Sequence, residues 1–182
     1  MPRYVILLRG INVGGKNTLS MAALRQGLSE LGYANVATYI NSGNVIAEST
    51  KAAKTIEAEI EAALPRLFKL DSELIRVLAL PRATFKTMVE SRPKGFGDTP
   101  ATYHSDAIFL MRGLTLRQAV TAFDPRHGVD TFWPGKGVIY HQRVSAQRTK
   151  SKLGKIVATL PYKSMTIRSW QTVEKLLAMV ED

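Results

Sequence analysis

The sequence contains no cysteine among its 182 residues. Disulfides, thiolate nucleophiles, cysteine-ligated zinc and iron–sulfur clusters are therefore excluded. Long apolar runs are also lacking, because the longest one near the N-terminus, Val5 to Leu8, is far too short for a signal peptide or a membrane span. We therefore expect a cytoplasmic protein that has no membrane partner.

Acidic residues are scarce. The chain has 15 Asp and Glu against 25 Lys and Arg, which gives a formal net charge of +10 and a sequence pI near 10.0. Because 45% of the residues are hydrophobic, the chain has the composition of a folded protein rather than of a disordered basic tail. The expected ligand is acidic, either nucleic acid or a phosphorylated small molecule. Composition identifies no cofactor and leaves the oligomeric state unknown.

Four short segments recur in the same order along the chain, which indicates an internal duplication. An apolar strand closed by Arg-Gly occurs at Val5–Gly10 and again at Ile108–Gly113. The other echoes pair 43–46 with 136–139, 63–65 with 159–161, and 74–76 with 166–168.

Each copy shows the hydrophobic periodicity of a βαββαβ unit. In the first copy we predict strands at 4–8, 36–40, 45–47 and 73–78, with helices at 21–31 and 52–64 and a trailing helix at 82–90. Ser20 is the predicted N-cap of the first helix, and Pro65 is expected to stop the second. In the second copy we predict strands at 107–111, 131–133, 138–141 and 165–168, with helices at 116–123, 147–159 and 171–180.

This order predicts an α+β fold made of a tandem pair of ferredoxin-like subdomains with antiparallel sheets. Residues 1–91 form the first predicted subdomain with its trailing helix, and residues 106–182 form the second with a C-terminal helix. Residues 92–105 are rich in Pro and Gly, which is typical of a linker. A cleft between the two subdomains is the expected place for a ligand.

Two motifs in the first copy, Arg9 to Asn17 (RGINVGGKN) and Tyr39 to Val45 (YINSGNV), resemble the domain of unknown function 1697 family. The C-terminal run TIRSWQT, residues 166–172, agrees with the resemblance, which covers essentially the whole chain. The resemblance implies a two-subdomain ferredoxin-like fold and brings no established reaction. Function therefore has to be argued from the residues.

The glycine-rich segment Gly10 to Lys16 matches a phosphate-binding P-loop except at Asn17, where Ser or Thr would ligate magnesium. The antiparallel fold and the lack of a second magnesium ligand argue against nucleotide hydrolysis. Two interpretations remain open: a crossover that only packs, or an anion site in which Gly14 and Gly15 let the backbone approach and Arg9 and Lys16 supply charge.

The segment from Asn41 to Asn44 is typical of a hairpin turn. If it converges with the glycine-rich loop across the domain interface, Asn12, Asn41 and Asn44 would contact a base or sugar while Arg9 and Lys16 hold phosphate. The βαββ topology does not require the two loops to adjoin, so this convergence is a hypothesis.

No acidic residue occurs between Asp130 and Glu174, although eight basic residues do. Arg148, Lys152 and Lys155 fall on one side of the predicted helix 147–159, with Ser151 beside them. A helix without balancing acids favours an anion-binding face over an ordinary solvated surface. The predicted anion-binding residues are Arg9, Asn12, Gly14, Gly15, Lys16, Asn41, Asn44, Arg148, Ser151, Lys152, Lys155 and Arg168.

The remaining candidates point to structure rather than chemistry. Phe132, Trp133 and Tyr140 are expected in the core, and Trp170 is expected to anchor a domain interface. The three histidines lack metal-binding spacing, so we predict no metal site, and no catalytic residue is identified. Two hypotheses remain: a binding module for nucleic acid or a nucleotide-like anion that uses the loop and the basic helix, and an enzyme that acts on a phosphorylated small molecule in the cleft.

Overall fold

The computed structural model describes residues 1–71 and 75–182. Within them the chain forms two four-stranded antiparallel sheets, which confirms the predicted α+β class. The chain divides into two compact units: Met1–Lys86 with Leu176–Asp182, and Thr87–Lys175. Residues 92–105 lie in the second unit, and a strand already begins at Tyr103.

The first unit follows the predicted βαββαβ order. Its strands are β1 (Arg3–Arg9), β2 (Ala34–Tyr39), β3 (Asn44–Glu48) and β4 (Arg76–Pro81), and its helices are α1 (Met21–Glu30) and α2 (Ala53–Leu67). Helix α3 (Arg82–Glu90) begins in this unit and ends in residues assigned to the second. The sheet order is β2-β3-β1-β4. Glu73 and Leu74 of the predicted fourth strand lie outside the described residues. Leu74 is also the first residue of one repeat segment.

A side-chain cap marks the beginning of α1, whereas α2 has no such cap and runs past the proline expected to end it. The Ser20 hydroxyl accepts from the Ala23 amide at 3.1 Å, so the predicted N-cap of α1 is confirmed. The prediction that Pro65 ends α2 is wrong by two residues, because the helix continues to Leu67. Pro65 lies in the last turn, where the Phe68 amide still closes onto the Leu64 carbonyl at 3.0 Å.

The core of the first unit lies between the sheet and the helices α1 and α2. Alternate residues of β1, Tyr4, Ile6 and Leu8, turn to this side, as the period of a strand requires. Leu24 and Leu28 of α1 meet them, each no more than 1% exposed.

The second unit repeats this topology. Its strands are β5 (Tyr103–Leu110), β6 (Asp130–Pro134), β7 (Val138–Val144) and β8 (Met165–Ser169). Its helix is α4 (Leu116–Val120), and α5 (Trp170–Glu181) begins in this unit and ends in residues assigned to the first. The sheet order β6-β7-β5-β8 matches that of the first unit position by position. Equal strand order in both units is what a duplicated βαββαβ sequence predicts.

One predicted element is wrong. In place of a helix over 147–159, the chain forms three short 3₁₀ segments, Ser145–Lys150, Leu153–Ala158 and Pro161–Ser164. Gln147 departs from helical geometry at φ −118° and ψ 20°, and Ser151 is extended at φ −61° and ψ 139°. The basic helix of the sequence-based hypothesis therefore does not exist.

The aromatic residues pack on the two faces of the second sheet. Phe96, 1% exposed, meets the rings of Trp170, Tyr140 and Trp133 edge to face at centroid distances of 5.0, 5.5 and 6.0 Å. Phe132 packs against the other core of the unit, beside Phe123 at 5.1 Å. Of the three rings expected in the core, Tyr140 is buried at 3% exposure, whereas Phe132 and Trp133 are partly buried and pack at its edge.

Among residues 1–71 and 75–182, no helix combines the length and the apolar composition needed to cross a membrane.

Candidate functional site

The glycine-rich loop of the first unit is a closed turn. Val13 and Lys16 pair across it, and the Lys16 amide donates to the Val13 carbonyl at 3.0 Å. Gly14 and Gly15 stand between them at φ 58° and φ 73°, the left-handed conformations of a tight hairpin turn. The loop presents exposed backbone and the Lys16 side chain, and α1 begins only at Met21.

Asn12 holds this loop against the β2–β3 hairpin. Its Nδ2 donates to the Asn41 carbonyl at 2.8 Å and to the Leu19 carbonyl at 2.9 Å, while its Oδ1 accepts from the Leu19 amide at 2.7 Å. The structure therefore brings the two loops together, but within the first unit rather than across a domain interface as the hypothesis supposed. The Asn12 amide, however, is occupied by these structural bonds.

The other asparagines of the two loops are structural in the same way. Asn17, 4% exposed, donates from Nδ2 to the Gly10 carbonyl at 2.7 Å. Asn44, 0% exposed, donates to the Tyr39 carbonyl at 3.1 Å and to the Ser42 hydroxyl at 2.8 Å. Arg9 is half-buried opposite Arg76 in the β1–β4 pairing. Lys16, the glycine backbone and the Asn41 side chain are the parts of this predicted site that face solvent.

Asp130 of β6 explains why the basic segment is not a helix. Its carboxylate, whose side chain is 1% exposed, accepts from the Ser151 hydroxyl at 2.6 Å, from the Lys152 amide at 2.9 Å and from the Arg126 amide at 3.1 Å. Burial raises the pKa of Asp130, but these hydrogen bonds and the nearby His141 hold it below its usual value. Binding the chain at residues 151 and 152 interrupts the helical turn there.

The predicted basic residues of the second unit are dispersed rather than aligned. Lys152 is paired with Asp124 at 2.6 Å, Lys155 is exposed, and Ser151 is engaged by Asp130. Arg168 is 8% exposed and donates to the Thr166 hydroxyl at 2.7 Å and to the Ile167 carbonyl at 2.8 Å. Burial lowers the pKa of Arg168 to about 10. Arg168 is therefore a buried residue of the sheet, separate from the exposed cations.

Arg148 does lie in a cavity. A space of about 280 Å³ in the second unit is lined by His104, Arg143, Ser145 and Arg148, and we call it the cationic cavity. His104 and Arg143 are direct partners in the β5–β7 pairing, so both side chains stand on one face of the sheet.

Asp106 contacts two residues that line the cationic cavity, His104 and Arg143. Its side chain is 8% exposed, and its carboxylate lies 3.1 Å from His104 Nε2 and 3.8 Å from Arg143 Nη1. Within the part of the chain that the structure describes, the buried Nε of Arg143 has no hydrogen-bond partner. Arg143 is thus held by one loose ion pair, and its cationic group faces a cavity where Arg148 adds a second positive charge.

A buried imidazole continues this polar layer. His141, 2% exposed, places Nε2 at 3.3 Å from Asp130 Oδ1 and Nδ1 at 3.9 Å from Asp106 Oδ2. Neither ring nitrogen makes a hydrogen bond to any described residue. Asp106, His141 and Asp130 therefore form a row of buried polar side chains that connects His104 and Arg143 to Ser151.

Sequence reasoning missed His104, Arg143 and their carboxylate neighbours. Residues two apart on a strand share a face, so His104 with Asp106 and His141 with Arg143 could have been recognised as two adjacent pairs. The register that joins the two pairs was not visible in the sequence. In residues 1–71 and 75–182, no group of three or more His, Asp and Glu side chains is arranged to hold a metal ion.

Comparison with known proteins identifies a family and a structural neighbour. Residues 1–140 match the family described as Protein of unknown function (DUF1697). A conserved bacterial protein from Streptococcus pneumoniae has a similar structure, with a TM-score of 0.77 and 28% sequence identity over 98% of each chain. No protein with a curated function matches this sequence.

Proposed function

This chain belongs to the DUF1697 family, a family of unknown function, and we propose that it is a binding module for phosphate-bearing anions of the nucleotide or nucleic-acid class. The observation that supports the proposal is the cationic cavity, in which Arg143, Arg148, His104 and Ser145 surround about 280 Å³. Guanidinium groups bind phosphate with two parallel hydrogen bonds, and a serine hydroxyl adds a neutral donor. The four side chains match the chemistry of a phosphate group.

The charge around the cavity supports the same proposal. The Asp106 carboxylate, which contacts His104 and Arg143, has a side chain only 8% exposed, and it does not line the cavity. The flanking segment carries Arg148, Lys150 and Lys155, all exposed, and lacks acids from residue 131 to 173. An approaching polyanion would therefore meet positive potential before it reaches the cavity.

The glycine-rich loop is a weaker contributor to this proposal than the sequence suggested. Asn12 is occupied by its bonds to Leu19 and to the β2–β3 hairpin, and Asn17 by its bond to Gly10. The exposed Gly14–Gly15 backbone, Lys16 and Asn41 are the groups that an anion can reach. We keep them in the proposal as a secondary contact of the first unit.

Pyrophosphate binding measured by titration calorimetry tests the proposal. We expect Arg148→Gln to weaken pyrophosphate binding about tenfold, because one charge-assisted hydrogen bond contributes roughly 1.5 to 3 kcal/mol. The double change with Arg143→Gln should weaken it further. Lys94→Gln removes one exposed charge outside the cavity and serves as the matched control.

Equal losses in Arg148→Gln and Lys94→Gln would show that the charge acts as general surface potential, and the cavity would then not be the site. Arg143 contacts Asp106, so its substitution could also destabilise the protein. Thermal unfolding of each variant checks that the fold is intact.

One observation favours the second hypothesis, an enzyme that acts on a phosphorylated small molecule. His104 lines the cationic cavity with the buried Asp106 carboxylate at 3.1 Å behind it. A carboxylate in this position fixes the tautomer of the ring and leaves the other nitrogen to exchange a proton. Release of inorganic phosphate from a mononucleotide, abolished in His104→Gln while binding persists, would distinguish the enzyme from the binding module.

A further inference from the structure

A second cavity lies beside the cationic cavity in the second unit. It has a volume of about 200 Å³ and is lined by residues that include Gly97, Tyr103, Ser169, Gln171 and Glu174. His104 lines this cavity as well as the cationic one. The two spaces therefore adjoin at His104, and we call the second one the polar cavity.

The sheet topology creates the polar cavity. β8 pairs with β5 from Asp106 to Leu110, and at Ser169 the chain turns into α5. Residues 103–105 of β5 continue beyond the end of β8, paired with β7 on their other side. The polar cavity occupies this stretch, so a strand edge forms one wall and the first turn of α5 forms another.

Size indicates that one ligand spans both spaces. Pockets for small organic ligands usually measure roughly 300 to 1,000 Å³. The cationic cavity of about 280 Å³ and the polar cavity of about 200 Å³ each fall below that range, whereas together they enter it.

The lining of the polar cavity differs in chemistry from that of the cationic cavity. Tyr103 is 37% exposed and presents an aromatic ring, on which a planar base can stack. The exposed Gln171 offers both an amide donor and an amide acceptor. Glu174, whose side chain is 53% exposed, is oriented by a hydrogen bond from Trp170 Nε1 at 3.0 Å. These groups suit the edge and face of a heterocycle rather than a phosphate.

Gly97 makes this lining possible. It adopts φ 82°, and a Cβ at this position would come within 2.4 Å of the Trp170 indole. The absence of a side chain lets the 95–100 turn lie directly on Trp170, which itself is 3% exposed and packed on Phe96. Trp170 therefore forms the floor of the polar cavity, and Tyr103 supplies the exposed ring.

We infer that the two cavities together bind one nucleotide unit, with the base in the polar cavity against Tyr103 and Gln171 and the phosphate in the cationic cavity against Arg143 and Arg148. His104, which lines both, faces the sugar–phosphate junction. This inference rests on the proposed function, since it assigns the phosphate to the same cavity. The nucleotide unit can be a free mononucleotide or one residue of a single strand.

Titration calorimetry on the full chain, in a phosphate-free buffer, tests the inference with four kinds of probe: inorganic phosphate, the four ribonucleosides, their 5′-monophosphates, and a four-nucleotide RNA. We expect at least one monophosphate to bind about tenfold more tightly than phosphate and than its own nucleoside, because it fills both cavities. Tighter binding of the tetranucleotide than of any monophosphate would identify a strand as the source of the nucleotide.

Variants assign each half of the ligand to its cavity. Tyr103→Ala should weaken monophosphate binding about tenfold and leave phosphate binding unchanged, because stacking on an aromatic ring contributes roughly 1 to 3 kcal/mol per base. Tyr103→Phe keeps the ring and should bind like the wild type. Gln171→Ala should act in the same direction as Tyr103→Ala, and Arg148→Gln should weaken phosphate and monophosphate alike.

The outcomes separate this inference from the proposed function. Phosphate binding that depends on Arg148, with no gain for any monophosphate, would overturn the nucleotide inference and leave the phosphate site intact. Equal losses in Tyr103→Phe and Tyr103→Ala would also overturn it. Absence of binding by every phosphate-bearing probe would overturn both.

Discussion

Asn12 and Asn41 form the contact between the two loops of the first unit, and each residue uses a different group. Asn12 uses its side-chain amide for three hydrogen bonds, whereas Asn41 accepts from Asn12 through its main-chain carbonyl. Asn12 also adopts φ 52°, a left-handed conformation that asparagine and aspartate tolerate better than other non-glycine residues. The residue type alone predicted a polar loop but not which of the two amides joins the loops.

Replacement of Asn12 by aspartate should destabilise the protein by about 2 kcal/mol or more. The substitution keeps the shape and the tolerance of positive φ, but it places a carboxylate oxygen against the Leu19 and Asn41 carbonyls in place of a donor. Urea unfolding measures the change. Asn41→Asp is the control and should change the free energy of unfolding by less than about 0.5 kcal/mol, since the Asn41 side chain is exposed. Equal stability of the two variants would contradict the structural role of the Asn12 amide.

The segment 145–164 shows how a tertiary contact overrides a helical pattern. Its counterpart in the first unit, α2, is a 15-residue helix, yet in the second unit the same position in the topology holds three 3₁₀ segments. Asp130 lies on another strand and captures the Ser151 hydroxyl and the Lys152 amide. Because the segment has no acidic residue, no i to i+4 ion pair stabilises a helix there against the contact with Asp130.

Ser151→Ala should therefore cost about 1 to 3 kcal/mol of unfolding free energy, because a buried carboxylate oxygen loses its hydroxyl donor. Thr149→Ala, an exposed change in the same segment, should cost less than about 0.5 kcal/mol. Urea unfolding at pH 7 compares the two variants. Equal costs would show that the Ser151 bond does not hold the segment.

Acid stability gives an independent measure of the same contact. The pKa of Asp130 is lowered in the folded protein, so its contribution to stability is present above the ordinary aspartate pKa and is lost as the pH falls through the folded value. We expect wild-type stability to decline below about pH 4, and Ser151→Ala to decline less, because one of the bonds that lower the pKa is gone. An identical pH profile for both proteins would contradict this assignment.

At the scale of the whole molecule, the net charge of +10 predicts salt-dependent attraction to nucleic acid. Three exposed cations of the 145–164 segment, Arg148, Lys150 and Lys155, are available for phosphate contacts, whereas Lys152 is paired with Asp124. Change of the three to glutamine should reduce the slope of log affinity against log salt by about 2, since each contact with a single strand contributes roughly 0.7.

Fluorescence anisotropy with a labelled oligouridylate at several potassium chloride concentrations measures this slope. A triple change of Lys54, Arg66 and Lys69 to glutamine removes the same charge from exposed positions of the first unit. That control should keep the wild-type slope. If both triple variants show the same slope, the contacts are not localised to the 145–164 segment.

The amino-acid sequence by itself determined the alternation of strands and helices, the duplication and the α+β class, because hydrophobic periodicity and turn residues act over a few neighbouring positions. Its net charge predicts an acidic ligand, and the contact of the glycine-rich loop with the β2–β3 hairpin was a hypothesis that the sequence alone did not require. Tertiary structure decided which polar side chains meet. His104 and Arg143 come together through the β5–β7 register, and Asp130 bends a segment about twenty residues away in the chain. Both outcomes depend on contacts between segments that are distant in the chain. The free energy of such contacts cannot be inferred from a local pattern of residues.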